Sequence, residues 1–252
     1  MPVNKFEQIR RFIHFNDNAQ VNGGDKLHKL RPILDHLLEK FRSIPFEEEL
    51  SVDEQMCATK ARHHLKMYMP DKPHKYGYKI FVLCGVSGFA YNSEIYTGNE
   101  NKTRPDDEPD MGASSNVVVR LTRPLESNQN FKLYFDNYYT SLVLLDFLKK
   151  RGIYSLGTVR RNRVTNCKMR DEKAIKKLER GAIIEYTCDY DGTNISNVLW
   201  KDNKAVILLS TFSGTNPTTH VRRFDRKEKK EVMVKRPHIV TTYNNDGVVS
   251  TY

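Results

Sequence analysis

The chain has 252 residues, with 41 Lys+Arg against 31 Asp+Glu, a formal net charge of +10 and a pI near 9.3. No apolar run approaches the roughly 18 residues of a membrane span, and MPVNKFEQIRRFIHF lacks the apolar core and cleavage site of a signal peptide. Cys57, Cys84, Cys167 and Cys188 are too far apart for a zinc ribbon, and they read as reduced thiols; the positive balance points to polyanionic partners.

Residues 4–15 have a helical period. Asn4 and Glu7 have capping-box spacing, and Phe6, Ile9 and Ile13 share a face. A polar loop follows over 16–26. The pattern predicts a second helix over 31–42, with Pro32 in its first turn and Ile33, Leu34, Leu37, Leu38 and Phe41 as a buried stripe. The period then switches to two. Leu50–Met56 alternates as a strand, and Ile80–Cys84 and Phe89–Tyr96 form a hairpin about Gly85 and Ser87-Gly88. Residues 99–116 are polar and carry Asp106, Asp107, Glu108 and Asp110, so they read as a loop. Val117–Arg120 begins a helix or a strand.

Phe131–Asp136 is a strand, Ser141–Lys150 a helix with Gly152 at its C′ position, and Ile153–Val159 a further strand. This order is an α/β layout. A short helix over 171–180 leads into three β runs, 182–188, 195–200 and 205–211, separated by Asp191-Gly192 and Asp202-Asn203. They read as an antiparallel insertion or subdomain. Residues 221–236 are strongly charged.

Two aspartates stand out. Asp53 lies within a strand among Leu50, Val52 and Met56, and Asp136 ends the strand Phe131–Phe135. A carboxylate there is costly unless it is paired or binds a cation. Two on neighbouring strands could hold Mg²⁺ or Mn²⁺ for phosphoryl transfer; the alternative is that each caps a strand end or pairs with a nearby Lys or Arg.

Leu50-Ser51-Val52-Asp53-Glu54-Gln55-Met56, Lys66-x-Tyr68-Met69-Pro70-x-Lys72-Pro73-x-Lys75-Tyr76-Gly77-x-Lys79 and Tyr134-Phe135-Asp136-Asn137-Tyr138-Tyr139-Thr140-Ser141 resemble the piggyBac transposase family. Further echoes are Phe12–Asn18, Tyr96-Thr97-Gly98, Gly157-Thr158-Val159-Arg160, Trp200–Lys204, Lys235-Arg236-Pro237 and Tyr243-Asn244, in the family's order over nearly the whole chain. The resemblance implies an α/β, RNase H-like mixed sheet with flanking helices. A short helical segment precedes it and a β-rich insertion interrupts it. It also implies three metal-binding aspartates and metal-assisted excision and joining of DNA at TTAA.

Asp53 and Asp136 match the first two catalytic, metal-binding positions. The third is not matched: the family's Asp falls at Ser250 or Thr251, and Asp246 is the one acid nearby. The implied organisation is a partial N-terminal helical region (1–45), the first part of the core (46–165), the insertion (166–220) and a basic segment returning to the core (221–252). The pattern expects the segment to stop before the core's last helix.

Basic clusters are the second line. Lys66, Lys72, Lys75 and Lys79 follow the first Asp, interleaved with His63, His64, Tyr68, His74 and Tyr76. Arg160, Arg161 and Arg163 follow a strand end, and Arg222, Arg223, Arg226 and Lys227 open the last segment. Such patches suit phosphates and unpaired bases, or they are solvated surface. His63-His64 reads as surface loop and Trp200 as packing within the insertion. The expectation is a transposase-derived DNA-binding protein, inactive for want of its third Asp. Mg²⁺ or Mn²⁺ is the implied cofactor, and DNA the partner. Neither a membrane nor a small-molecule substrate is expected. Homodimerisation and a nuclear location are family expectations. The alternatives are an active transposase or nuclease, completed by Asp246 or an acid in trans, and a non-enzymatic interaction protein or decayed element product.

Overall fold

The computed structural model describes residues 1–20, 24–70, 72–98, 104–106, 108–164, 166, 168–226 and 229–246. Asp107, Cys167, Lys227, Ser250 and Thr251 lie outside them, as does the side chain of Asp246.

Two helices lead. α1 (Val3–Phe12) is amphipathic but buries none of its residues, and Phe6, Ile9, Phe12 and Ile13 stay exposed. Its N-cap is Pro2 with no side-chain cap bond, so the Asn4/Glu7 capping box does not form. α2 (Arg31–Arg42) has the expected bounds with Pro in its first turn. Its stripe is only half-buried, and Leu37 is exposed.

The period-two segment is β1 (Glu49–Ala58). β2 (Met67–Tyr68), β3 (Tyr76–Gly85) and β4 (Ala90–Ile95) follow, and β3 pairs with β1, β2 and β4, all antiparallel. The helix-or-strand ambiguity at 117–120 resolves as α3 (Ala113–Thr122), which begins inside the expected loop and is buried from Ser115 onward. Its polar groups are satisfied. Arg120 binds Glu94 through two bonds of 2.6 and 2.8 Å, and Ser115 Oγ donates to the Tyr139 carbonyl at 3.2 Å.

β5 (Lys132–Phe135) is followed by α4 (Leu142–Lys150). Ser141 caps α4 by accepting from the Leu144 N–H at 3.2 Å. Gly152 ends it at φ +72°, with the Gly152 and Ile153 amides donating to Lys149 and Leu148, a Schellman closure. β6 (Tyr154–Thr158) completes a parallel trio β1–β5–β6.

α5 (Glu172–Lys176) is shorter than expected; Asp171 is its N-cap. β7 (Ile183–Tyr190), β8 (Thr193–Lys201) and β9 (Ala205–Ser210) are the three expected antiparallel strands. They do not form a separate sheet. β9 pairs with β6, so the nine strands run β2-β3-β1-β5-β6-β9-β8-β7, with β4 also on β3.

The charged stretch over 221–236 is a hairpin of its own, β10 (Thr219–Asp225) and β11 (Lys230–Arg236). A helix, α6 (His238–Asp246), follows on a stretch to which the sequence pattern assigns no element.

One sheet face, with Leu50, Val52, Leu133 and Phe135, packs on α3 and α4. The other, with Tyr134, Leu156, Val198 and Trp200, packs on α6 through Ile239 and Val240 and on the hairpin through Val221, Val232 and Val234.

Candidate active site

β1 and β5 are parallel neighbours in the register Leu50↔Leu133, Ser51↔Tyr134, Val52↔Phe135. The next step of that register sets Asp53 beside Asp136, where β5 ends, with adjacent strands about 4.8 Å apart. Alternation decides the side. Leu50, Val52, Leu133 and Phe135 belong to the α3/α4 core and Tyr134 to the opposite one. Ser51, Asp53, Tyr134 and Asp136 therefore share the α6 face. The C-terminal ends of parallel strands are where open α/β sheets bind ligands.

The backbone fixes both groups. Asp53 Oδ1 accepts from the Glu54 amide at 2.8 Å, and Asp136 Oδ1 accepts from the Tyr138 amide at 2.7 Å in a tight turn. Thr140 Oγ1 donates to the Asp136 carbonyl at 2.8 Å. A Cβ at Gly157 would collide with Thr140 Oγ1 and the Phe135 ring, so glycine on β6 leaves room for this turn.

Among the described residues, neither Asp53 nor Asp136 has an ion-pair partner, in contrast to the simple Lys or Arg pairing the sequence left open. Burial pushes the Asp53 carboxyl up to about 6, with Glu54 and Asp136 adding repulsion. Burial also raises Asp136, against the pull of Arg163 and Lys72. These are two hard oxygen donors on one face, poorly solvated and without an ion-paired cation among the described residues, though Arg163 and Lys72 lie within electrostatic reach. That donor chemistry fits Mg²⁺ or Mn²⁺, which are held by one or two carboxylates and keep several waters. Among the described residues no group of three His, Cys, Asp or Glu side chains could hold a metal.

Three groups that the sequence did not single out complete the surroundings. Glu54 projects to the opposite face, where Lys72 Nζ lies 3.4 Å from its carboxylate and the Tyr139 hydroxyl donates to it at 3.3 Å. Tyr139 is fully buried, and burial followed by Glu54, Asp53 and Asp136 raises its phenol, so it stays a donor. Tyr243, on α6, donates to the Phe135 carbonyl at 3.5 Å. Its phenol is pushed up to about 12 by burial, with Asp136 and Asp53 adding to the effect. α6 thus crosses the carboxylate face at its Tyr243 turn. All three lie within the motifs that carry the family resemblance, but the sequence pattern assigns none of them a role, because each acts through a partner more than ten positions away.

The cations divide. Lys72 is held by Glu54; Lys79 lies over the Phe81 and Tyr138 rings at 4.6 and 4.7 Å; and Arg163 donates to the Asn137 and Tyr138 carbonyls at 2.8 and 2.6 Å. These three surround the Asp136 turn. Lys66 lies over Tyr76 at 5.6 Å, and with Lys75 it lines a groove further along β3. Arg160 is exposed, and Arg161 donates to the Met169 carbonyl at 3.0 Å. Arg222, Arg223 and Arg226 belong to the β10–β11 hairpin. Arg223 is held by Asp202 at 3.0 Å, whereas Arg222 and Arg226 are exposed. His63 and His64 are exposed and stacked at 4.2 Å, and Trp200 is buried, its Nε1 donating to the Lys235 carbonyl at 2.7 Å.

Among the described residues no helix is long and apolar enough to cross a membrane. The chain is 31% identical over 247 residues to human "PiggyBac transposable element-derived protein 3", covering 97% of this chain and 41% of that protein. It is 30% identical over 243 residues to human "PiggyBac transposable element-derived protein 2", covering 95% and 40%. The chain thus spans about two fifths of the length of these relatives. The fold is similar to a chain in the "Cryo-EM structure of piggyBac transposase synaptic complex with hairpin DNA". The TM-score is 0.71 at 23% identity, covering 98% of this chain and 48% of that one. The mixed sheet with its flanking helices is that fold. A family model described as Transposase IS4 matches residues 1–247, and by that match the chain belongs to that piggyBac-type family.

Proposed function

We propose that this chain is the DNA-binding, cation-binding part of a transposase-derived nuclear protein, and that by itself it does not complete strand transfer. The observation that carries the reading is the β1–β5 register, which sets Asp53 beside Asp136 with no cation among the described residues paired to either. Asp53 and Asp136 would hold the ion. Bound there, Mg²⁺ or Mn²⁺ would supply the activation of a nucleophile and the neutralisation of phosphate charge that metal-assisted phosphoryl transfer needs. The chain's own residues do the rest. Arg163 and Thr140 lock the turn that aims Asp136, the Tyr139–Glu54–Lys72 contacts tie that turn to β1, and exposed Lys75, Arg160, Arg222 and Arg226 bind phosphates. DNA ending in or containing TTAA is the proposed ligand, and a homodimer the proposed assembly.

The test is Mn²⁺ titration calorimetry, DNA binding and plasmid nicking on the full chain. Mn²⁺ binds the wild type and fails to bind the Asp53→Asn/Asp136→Asn variant. DNA affinity falls steeply with salt through counterion release, and no strand transfer is seen. Failure to bind DNA in low salt would instead mean a protein-interaction role.

A second reading, an active nuclease, is favoured by α6. The Tyr243 hydroxyl brings this helix against the end of β5 that carries Asp136. Nicking that disappears in Asp53→Asn would establish it over the first.

A further inference from the structure

The β10–β11 hairpin is anchored by one face only. Val221, Val232 and Val234 enter the α6-side core, Trp200 Nε1 holds the Lys235 carbonyl, and Arg223 is held by Asp202. Alternation turns His220, Arg222 and Phe224 outward on one arm and Glu231, Met233 and Lys235 on the other, all exposed, and Arg226, also exposed, opens the turn between the arms. The register pairs His220 with Lys235, Arg222 with Met233 and Phe224 with Glu231. Phe224 and Met233 are therefore diagonal neighbours, within reach of each other, and they are 56% and 60% exposed. An apolar pair stands at the centre of this face. Arg222, Arg226, Lys235 and His220 rim it, with Glu231 as the one acid on this face among the described residues.

We propose that this outer face is a DNA-binding ribbon on which Phe224 and Met233 pack against an unpaired or unstacked base, while Arg222, Arg226 and Lys235 hold the flanking phosphates. The inference rests on the DNA-binding reading above and adds its surface and mode. Charge decides the occupant: a polyanion matches a rim of three cations, whereas an apolar protein surface would leave them uncompensated. Two-stranded ribbons enter DNA grooves, apolar side chains wedge into weakened base steps, and aromatic rings stack on unpaired bases. The anchored inner face holds the ribbon rigid, so little order is lost on binding.

The test uses the full chain and two fluorescent probes: a fully paired duplex, and the same duplex with a three-nucleotide single-stranded gap. Phe224→Ala weakens binding to the gapped probe by roughly 5- to 100-fold and changes the paired probe by less than about twofold. Phe224→Tyr restores the gapped affinity. Arg222→Ala weakens both probes and lowers the salt slope by about one. Phe224 is solvent-exposed, so the variant keeps its fold, which a thermal melt checks; Met233→Ala repeats the test independently. Unchanged affinities in both Ala variants overturn the ribbon, leave DNA binding standing and point to a protein partner. An equal loss on both probes that Tyr fails to rescue also overturns it. No binding to either probe at low salt overturns both the ribbon and the reading beneath it.

Discussion

Asp53 and Asp202 are both aspartates drawn into the body of the protein, and they are treated in opposite ways. Asp202 receives Arg180 Nε at 2.7 Å and Arg223 Nε at 3.0 Å, with 16% of its side chain exposed. Burial alone would raise its carboxyl, but the two guanidiniums hold it below the ordinary value. Asp53 is half-buried beside Asp136 with no ion pair among the described residues, and burial raises its carboxyl to about 6. A carboxylate kept for architecture arrives with its countercharges. On the reading proposed above, Asp53 lacks them because a bound cation would supply the charge, and the metal-free fold should be the less stable for it.

Removing Asp202 should have the largest effect. Asp202→Asn removes the charge that Arg180 and Arg223 share, leaving Arg180 with Asp225 at 3.7 Å, and should destabilise the protein by about 2–3 kcal/mol, below the value for a fully buried pair because Arg223 is part-exposed. Urea denaturation reads the loss. The folded carboxyl lies below its unfolded value, so its stabilisation is present at neutral pH and fades as the pH falls through the lowered value. The difference from wild type should shrink in acid.

Asp53→Asn should act in the other direction. Its folded carboxyl lies above the unfolded value of 3.8, so the native state is favoured below that pH and loses stability as the pH rises through about 6. The metal-free variant should therefore gain about 2 kcal/mol at pH 7.5 and almost nothing near pH 4. Millimolar Mn²⁺ should raise the melting temperature of the wild type but not of the variant. If Asp53→Asn destabilised the metal-free protein at pH 7.5, the contrast between the two sites would be lost.

Tyr139→Phe gives the smallest change. It removes the hydroxyl bond to Glu54 without changing ring packing, and should cost about 0.5–1.5 kcal/mol. It should also weaken Mn²⁺ binding, because the tie between the Asp136 turn and β1 is loosened. Unaltered Mn²⁺ affinity would reduce Tyr139 to a packing role.

The amino-acid sequence by itself determined most of the local elements and placed Asp53 and Asp136 on neighbouring strands. The bounds of α2, the Ser141 cap, the Gly152 closure and the strands around Asp53 and Asp136 each depend on residues within a few positions of one another, so propensity and period suffice to read them. Tertiary structure alone decided what those elements do together. The parallel register joins residues more than 80 positions apart, and the β6–β9 ladder turns a β-rich stretch into the edge of the same sheet. Asp202 claims Arg223 but leaves Arg222 and Arg226 to solvent, dividing a cluster that looks uniform in sequence. The apolar face of α1 reads as core by period yet stays exposed. Periodicity shows which side of an element is apolar, whereas burial and charge pairing depend on which distant surface the chain brings against it.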